Sequence, residues 1–99
     1  MANLNKLLKQ AQKMQEQIQR EMETLEIEES VGGGMVTIRM NGQKSVLGVT
    51  VDPALLAPSE KEMLEDLFAA AVNEAARKVD EALQSKMGGM GGGLGFPGA

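Results

Sequence analysis

The 99-residue chain has no cysteine, histidine, tryptophan or tyrosine, and its only aromatic residues are Phe68 and Phe96. Without cysteine there is no disulfide, no thiolate nucleophile and no cysteine-ligated zinc or iron–sulfur site. Without histidine there is no imidazole base and no customary transition-metal ligand. No hydrophobic run is long enough to span a bilayer, and the N-terminal stretch lacks the apolar segment of a signal peptide. The expected compartment is therefore the cytoplasm, with no membrane partner. The scarcity of rings leaves the core to Leu, Ile, Val, Met and Ala. It also makes base stacking on the protein unexpected, because Phe68 reads as core and Phe96 falls near the C-terminus.

A chain of this length forms one domain. Residues 88–99 hold seven of the twelve glycines and read as a low-complexity tail, so the folding unit is residues 1–87. Within it, Leu4, Leu7, Ala11, Met14, Ile18, Met22 and Leu25 recur at three- and four-residue spacing, with no Gly or Pro between them. That spacing predicts one helix from residue 3 to about 25. The period then drops to two. Val36, Ile38 and Met40 alternate with polar residues, as do Leu47, Val49 and Val51 with their neighbours, and Leu25, Ile27 and Val31 do so less regularly because Glu29 interrupts the face. Gly32-Gly33-Gly34 and Asn41-Gly42 mark the two turns. A turn of two or four residues keeps the apolar sets of the second and third strands on one face. Ser59 with Glu62 has the spacing of a capping box, which predicts a second helix from about Glu60 to Met87, stopped by Gly88-Gly89. The expected fold class is α+β, in the order α-β-β-β-α, with a three-stranded antiparallel meander and two long flanking helices. Helices of this length measure about 35 and 42 Å, whereas the strands span about 20–23 Å. The apolar seams overhang the sheet, so an intertwined homodimer is expected.

Charge is segregated more than its total suggests. The net charge is −4, yet residues 1–20 hold Lys6, Lys9, Lys13 and Arg20 against Glu16 alone. These four cations fall within about 60° of one another on a helical wheel, opposite the apolar seam. Five glutamates crowd residues 21–31. Lys6 and Lys9 lie toward the positive end of the helix dipole and Glu21, Glu23 and Glu26 toward its negative end, the reverse of what helix stability favours. Phosphate contact is decided by local potential, so the stripe points to a polyanion despite the acidic total. Two plainer readings compete: inter-chain ion pairs between antiparallel first helices, and simple solvation. Lys78 and Lys86 on the second helix extend the candidate DNA-binding set, with Arg39 and Lys44 as weaker additions.

The run Gly33-Gly34-Met35-Val36-Thr37-Ile38, the turn Asn41-Gly42 and Leu47-Gly48-Val49-Thr50-Val51-Asp52-Pro53 resemble the YbaB/EbfC family of bacterial nucleoid-associated proteins. So do Leu64-Glu65-Asp66-Leu67, Ala71-Val72-Asn73-Glu74-Ala75, the Gln- and Lys-rich first helix and the Gly/Met tail. The resemblance implies a small cytoplasmic homodimer with protruding helices. It further implies binding to double-stranded DNA with little sequence preference, and roles in nucleoid organisation and gene regulation.

No enzymatic activity, cofactor, metal or small-molecule substrate is expected. Adjacent carboxylates such as Glu28-Glu29 and Glu65-Asp66 point in different directions from their element and do not make an acid–base pair. Gly32-Gly33-Gly34 lacks the spacing and the following Lys-Ser/Thr of a phosphate loop and reads as a turn. The alternative to DNA binding is a chaperone-like module gripping a partner polypeptide between its helices, with Met14, Met22, Met63 and Met87 either packed in the core or offered as an adaptable surface.

Overall fold

The computed structural model describes residues 2–90. Helix α1 covers Ala2–Thr24, strands β1, β2 and β3 cover Glu26–Val31, Val36–Asn41 and Val46–Val51, and helix α2 covers Lys61–Met90. The strands form an antiparallel sheet in the order β1-β2-β3. This is the α+β architecture that the periodicity predicts. The Gly/Met-rich tail lies, from residue 91 on, outside the described residues.

The middle strand carries the core. Val36, Ile38 and Met40 alternate with Thr37, Arg39 and Asn41, and all three apolar side chains are buried. Ala71, Ala75 and Val79 of α2 lie on them at four-residue spacing. Small side chains on the helix allow a close approach to the sheet, and each buried methyl group adds about 0.8 kcal/mol. The chain between β3 and α2 contributes Leu55. Asp52 Oδ1 accepts the N–H of Ala54 at 2.8 Å and starts a 3-10 turn over Pro53–Leu56 that places Leu55 inside. A second 3-10 turn, Pro58–Glu60, leads into α2, which begins one residue later than the Ser59–Glu62 spacing predicts.

Four local expectations are modified. First, α2 runs through Gly88 and Gly89 to Met90 instead of stopping near Met87, because a glycine weakens a helix by about 1 kcal/mol without terminating it. Second, the Asn41-Gly42 turn is longer than a two-residue hairpin. Asn41 Oδ1 accepts the N–H groups of Gln43 and Ser45 at 2.9 and 3.0 Å, and Lys44, not Gly42, takes the left-handed backbone with φ 64°. Third, β3 carries an irregularity. Val51 and Val49 face Val36 and Ile38 as the parity argument requires, but Met40 pairs with Val46, so Leu47 is an inserted residue. Fourth, of the four methionines that could pack in the core only Met22 is buried, and Phe68, which reads as core, is 41% exposed. Those side chains follow apolar helix faces that the other described elements leave uncovered.

Both turns rely on glycine for reasons of space. A Cβ on Gly32 (φ +62°) would lie 3.0 Å from the Leu67 side chain of α2. A Cβ on Gly42 would lie 2.0 Å from the carbonyl oxygen of Met22 in α1. Each helix thus presses on the sheet at a glycine.

The radius of gyration is 18.8 Å, against about 12 Å for a compact domain of this size. The excess comes from α1. Only its end packs on β2, through Ile18 and Met22, and the residues before Ile18 are exposed where described. Meanwhile α2 lies over β1 and β2. The inner face of β3 is left open, and Val49 is 44% exposed although its register partner Ile38 is fully buried.

Candidate nucleic-acid interface

Ile18 and Met22 fix the rotation of α1 by turning into the core. Lys6, Lys9, Lys13 and Arg20 lie on the opposite side of the helix and so face solvent; all four are exposed. The stripe they form is about 21 Å long at 1.5 Å per residue. None of the four forms an ion pair among the described residues. Glu16, three and four positions from Lys13 and Arg20 on the same helix, is a carboxylate beside the stripe, and it forms no ion pair with either.

The remaining candidate residues are placed differently. Lys86 Nζ donates to Glu21 Oε2 at 2.8 Å and ties the C-terminal part of α2 to the end of α1. Lys78 Nζ lies 3.1 Å from Glu29 Oε2. Glu29 is the residue that interrupts the apolar face of β1, and its side chain is only 15% exposed. Lys78 compensates a carboxylate that is otherwise costly at that depth. Lys44 Nζ pairs with Asp80 at 2.8 Å. Arg77 bonds to both Glu74 and Glu81 along α2. Its hydrogen bond to Glu74 holds that carboxyl below the usual carboxylate range and raises the guanidinium in turn. On α2, therefore, Arg77, Lys78 and Lys86 are all matched by carboxylates.

Arg39 stands on the open sheet face across from Glu28. Its guanidinium lies over Gly48, where an added Cβ would be 3.2 Å from Nη2. On the same face Ser30 and Thr37 share a hydrogen bond of 2.7 Å. The open face is mixed in charge and lacks the single sign of the α1 stripe.

The sequence pattern identifies the stripe because all its members sit on one helix, where spacing gives direction. Partners such as Glu21–Lys86 and Glu29–Lys78 are 65 and 49 positions apart, and no local pattern links them. The structure brings together Lys6, Lys9, Lys13 and Arg20; it separates them from Lys78 and gives Lys86 a structural partner.

Among the described residues no helix is long and apolar enough to cross a membrane, and no cluster of three or more acidic residues has the geometry to hold a metal ion.

Residues 1–94 match the model of the YbaB/EbfC DNA-binding family. A nucleoid-associated protein of Koribacter versatilis is 47% identical over 96 residues, covering 97% of this chain and 95% of that protein. One from Clostridium novyi is 44% identical over 99 residues, covering 97% and 87%. The crystal structure of an uncharacterized protein from Helicobacter pylori superposes with a TM-score of 0.79 at 24% identity, over 91% of this chain and 95% of that one, and is a likeness of fold.

Proposed function

This chain belongs to the YbaB/EbfC DNA-binding family, and from that premise we propose that it is a non-enzymatic nucleoid-associated protein that binds double-stranded DNA as a homodimer. It acts in the nucleoid, within the cytoplasm, by changing DNA conformation and through it nucleoid organisation and gene expression. The observation that carries the reading is the partition of cations. Lys44, Arg77, Lys78 and Lys86 are paired; among the described residues Lys6, Lys9, Lys13 and Arg20 form no ion pair and stand together on one projecting helix, whereas Arg39 and Lys61, also without an ion pair, stand singly elsewhere. Lysine contacts without amide or aromatic readers favour backbone phosphates over base edges. Lys78 and Lys86 contribute secondarily, where a phosphate displaces Glu29 or Glu21.

A second copy supplies the second arm. The uncovered inner face of β3, with Leu47 and Val49, and the exposed Phe68 of α2 form the surface we assign to it. An isologous contact there pairs the same patch on both protomers. Sedimentation equilibrium should then give twice the chain mass of 10.5 kDa. Val49→Lys should weaken the dimer at least about tenfold, since it forces an unpaired ammonium into the contact. An unchanged dimer constant in that variant would move the interface elsewhere.

The direct test of DNA binding is fluorescence anisotropy of a labelled duplex at several salt concentrations. Four phosphate contacts per dimer give a log K against log[salt] slope of about −3.6, and more contacts a steeper one. A folded dimer that fails to bind at low salt, or binds with a slope near zero, would overturn the phosphate reading and favour capture of a polypeptide.

A further inference from the structure

Apolar packing fixes α1 at one end only. Ile18 and Met22 reach the core. Beyond them α1 and α2 stand apart across a groove of about 640 Å³, with Ala11 and Met14 on one wall and Leu83 and Met87 on the other. One polar contact spans the two helices. Lys86 Nζ of α2 donates to Glu21 Oε2 of α1 at 2.8 Å. Among the described residues it is the only ion pair or side-chain hydrogen bond that joins α1 to another element. Both partners remain open to water: the Lys86 side chain is 32% exposed and that of Glu21 43%. A smaller cavity of about 240 Å³, lined by Met14, Gln17 and Ile18, lies beside the pair.

We propose that Glu21 and Lys86 form an ionic latch: the pair positions α1 at a set angle to α2, and a phosphate that takes Lys86 from Glu21 frees the arm. The placement gives the pair leverage. Lys6 lies fifteen residues before Glu21, about 22 Å along the helix axis, so a small tilt at the latch becomes a large displacement at the tip. Across the groove no side chains of α1 and α2 interlock to oppose that tilt. The chemistry suits exchange. An ion pair this exposed shifts an equilibrium by about fivefold at most. An ammonium that bonds a carboxylate oxygen bonds a phosphate oxygen in the same way, and neither charge here has to be stripped of its water to change partner. The release step rests on the DNA reading above; the latch itself does not.

The chain has no cysteine, so Asn5→Cys/Gln84→Cys, at two exposed positions, places one spin label on the arm and one on α2. Dilution with unlabelled protein confines the measured label-to-label distance to a single chain. At low salt the full-length, DNA-free protein should give a narrow distance distribution. Glu21→Gln or Lys86→Gln should broaden it, with the unlatched population rising by up to about fivefold. Salt at about 1 M should do the same to the original pair by screening. The exchanged pair Glu21→Lys/Lys86→Glu should restore the narrow distribution, which a packing role alone would not do. Identical distributions in all four proteins would overturn the latch, and so would a broadening that the exchanged pair fails to reverse.

Duplex affinity tests the release. Glu21→Gln frees both Lys86 and the arm, so it should tighten binding by up to about fivefold relative to Glu23→Gln. The latter makes the same charge change at an exposed position of the same helix, where the carboxylate forms no ion pair among the described residues. Lys86→Gln should weaken binding and lower the salt slope by about 1.8 for the two copies in a dimer. Equal affinity in Glu21→Gln and Glu23→Gln would overturn release by phosphate. Absence of binding in every protein would instead overturn the DNA reading, and the distances would still decide the latch.

Discussion

Charge reversal at Lys9 and Lys13 should lower DNA affinity by about four-thousandfold at 0.1 M salt and leave the fold intact. The size follows from counterion release. Two lysines per protomer are four phosphate contacts per dimer, each contributing about 0.9 to the salt slope, so their loss removes about 3.6 decades at 0.1 M and flattens the slope by the same figure. The stability effect is expected to be small. Both side chains are exposed and form no ion pair among the described residues. Both positions lie about two turns or more inside α1, beyond the reach of its terminal dipole, so glutamates there change stability by about 0.5 kcal/mol or less, as exposed substitutions do. The double variant should thus melt close to the original while failing to bind. Anisotropy and a thermal melt on the same sample decide it, and full affinity in the variant would remove the α1 stripe from the interface. Lys44→Gln serves as a control, because Lys44 is paired with Asp80 on the hairpin and its loss should leave the slope unchanged.

The largest loss of stability is expected at Gly42. Its backbone runs so near the end of α1 that the Cβ of an alanine would sit 2.0 Å from the Met22 oxygen and 2.6 Å from its carbonyl carbon. Both obstacles are main-chain atoms, which cannot rotate away as a side chain can. Relief requires lifting the last turn of α1 or bending the hairpin. Either withdraws Met22 or Met40 from the core, where both are buried. Losing such a core contact costs about 3–5 kcal/mol, and for a domain of this size each kcal/mol lowers the melting temperature by about 4–8 °C. Gly42→Ala should therefore drop it by at least about 12 °C. Gly33→Ala is the comparison. Its Cβ meets nothing within 4 Å, so only the left-handed φ of +68° opposes it, at about 1–2 kcal/mol. Equal melting temperatures for the two variants would mean that α1 is not pinned at Gly42.

These two residues show where sequence reading succeeds and stops. Lys9 and Lys13 declare their direction because a helix converts spacing into angle, and the same conversion at period two puts Val36 and Ile38 on one face with Val49 and Val51, as their observed pairing has it. Gly42 is visible as a turn residue, but the backbone conformation does not explain it: Lys44 takes the left-handed position, and Gly42 is needed for its distance to a residue twenty positions away. Non-local proximity has no periodic signature. The same limit hides the Leu47 insertion, which depends on how the hairpin closes, and the partners of Lys78 and Lys86. Phe68 and Met87 look like core because their helix faces are apolar; the pattern does not say whether the covering element belongs to the same chain. Gly88 and Gly89 look like a stop, but nothing crowds Gly88 and the helix passes through it.

The attachment of α1 at one end has a mechanical consequence. Lys6 lies sixteen residues from Met22, about 24 Å along the axis. If Met22 against Gly42 serves as the pivot, a tilt of about 10° swings Lys6 through about 4 Å, while Arg20 moves by well under 1 Å. The arm behaves as a caliper jaw, fixed near Arg20 and adjustable toward its tip. If the proposed stripe holds DNA, such a jaw would close on duplexes of different local width with little change in the energy of its contacts, registering groove shape weakly at Lys6 and Lys9 and most firmly at Arg20.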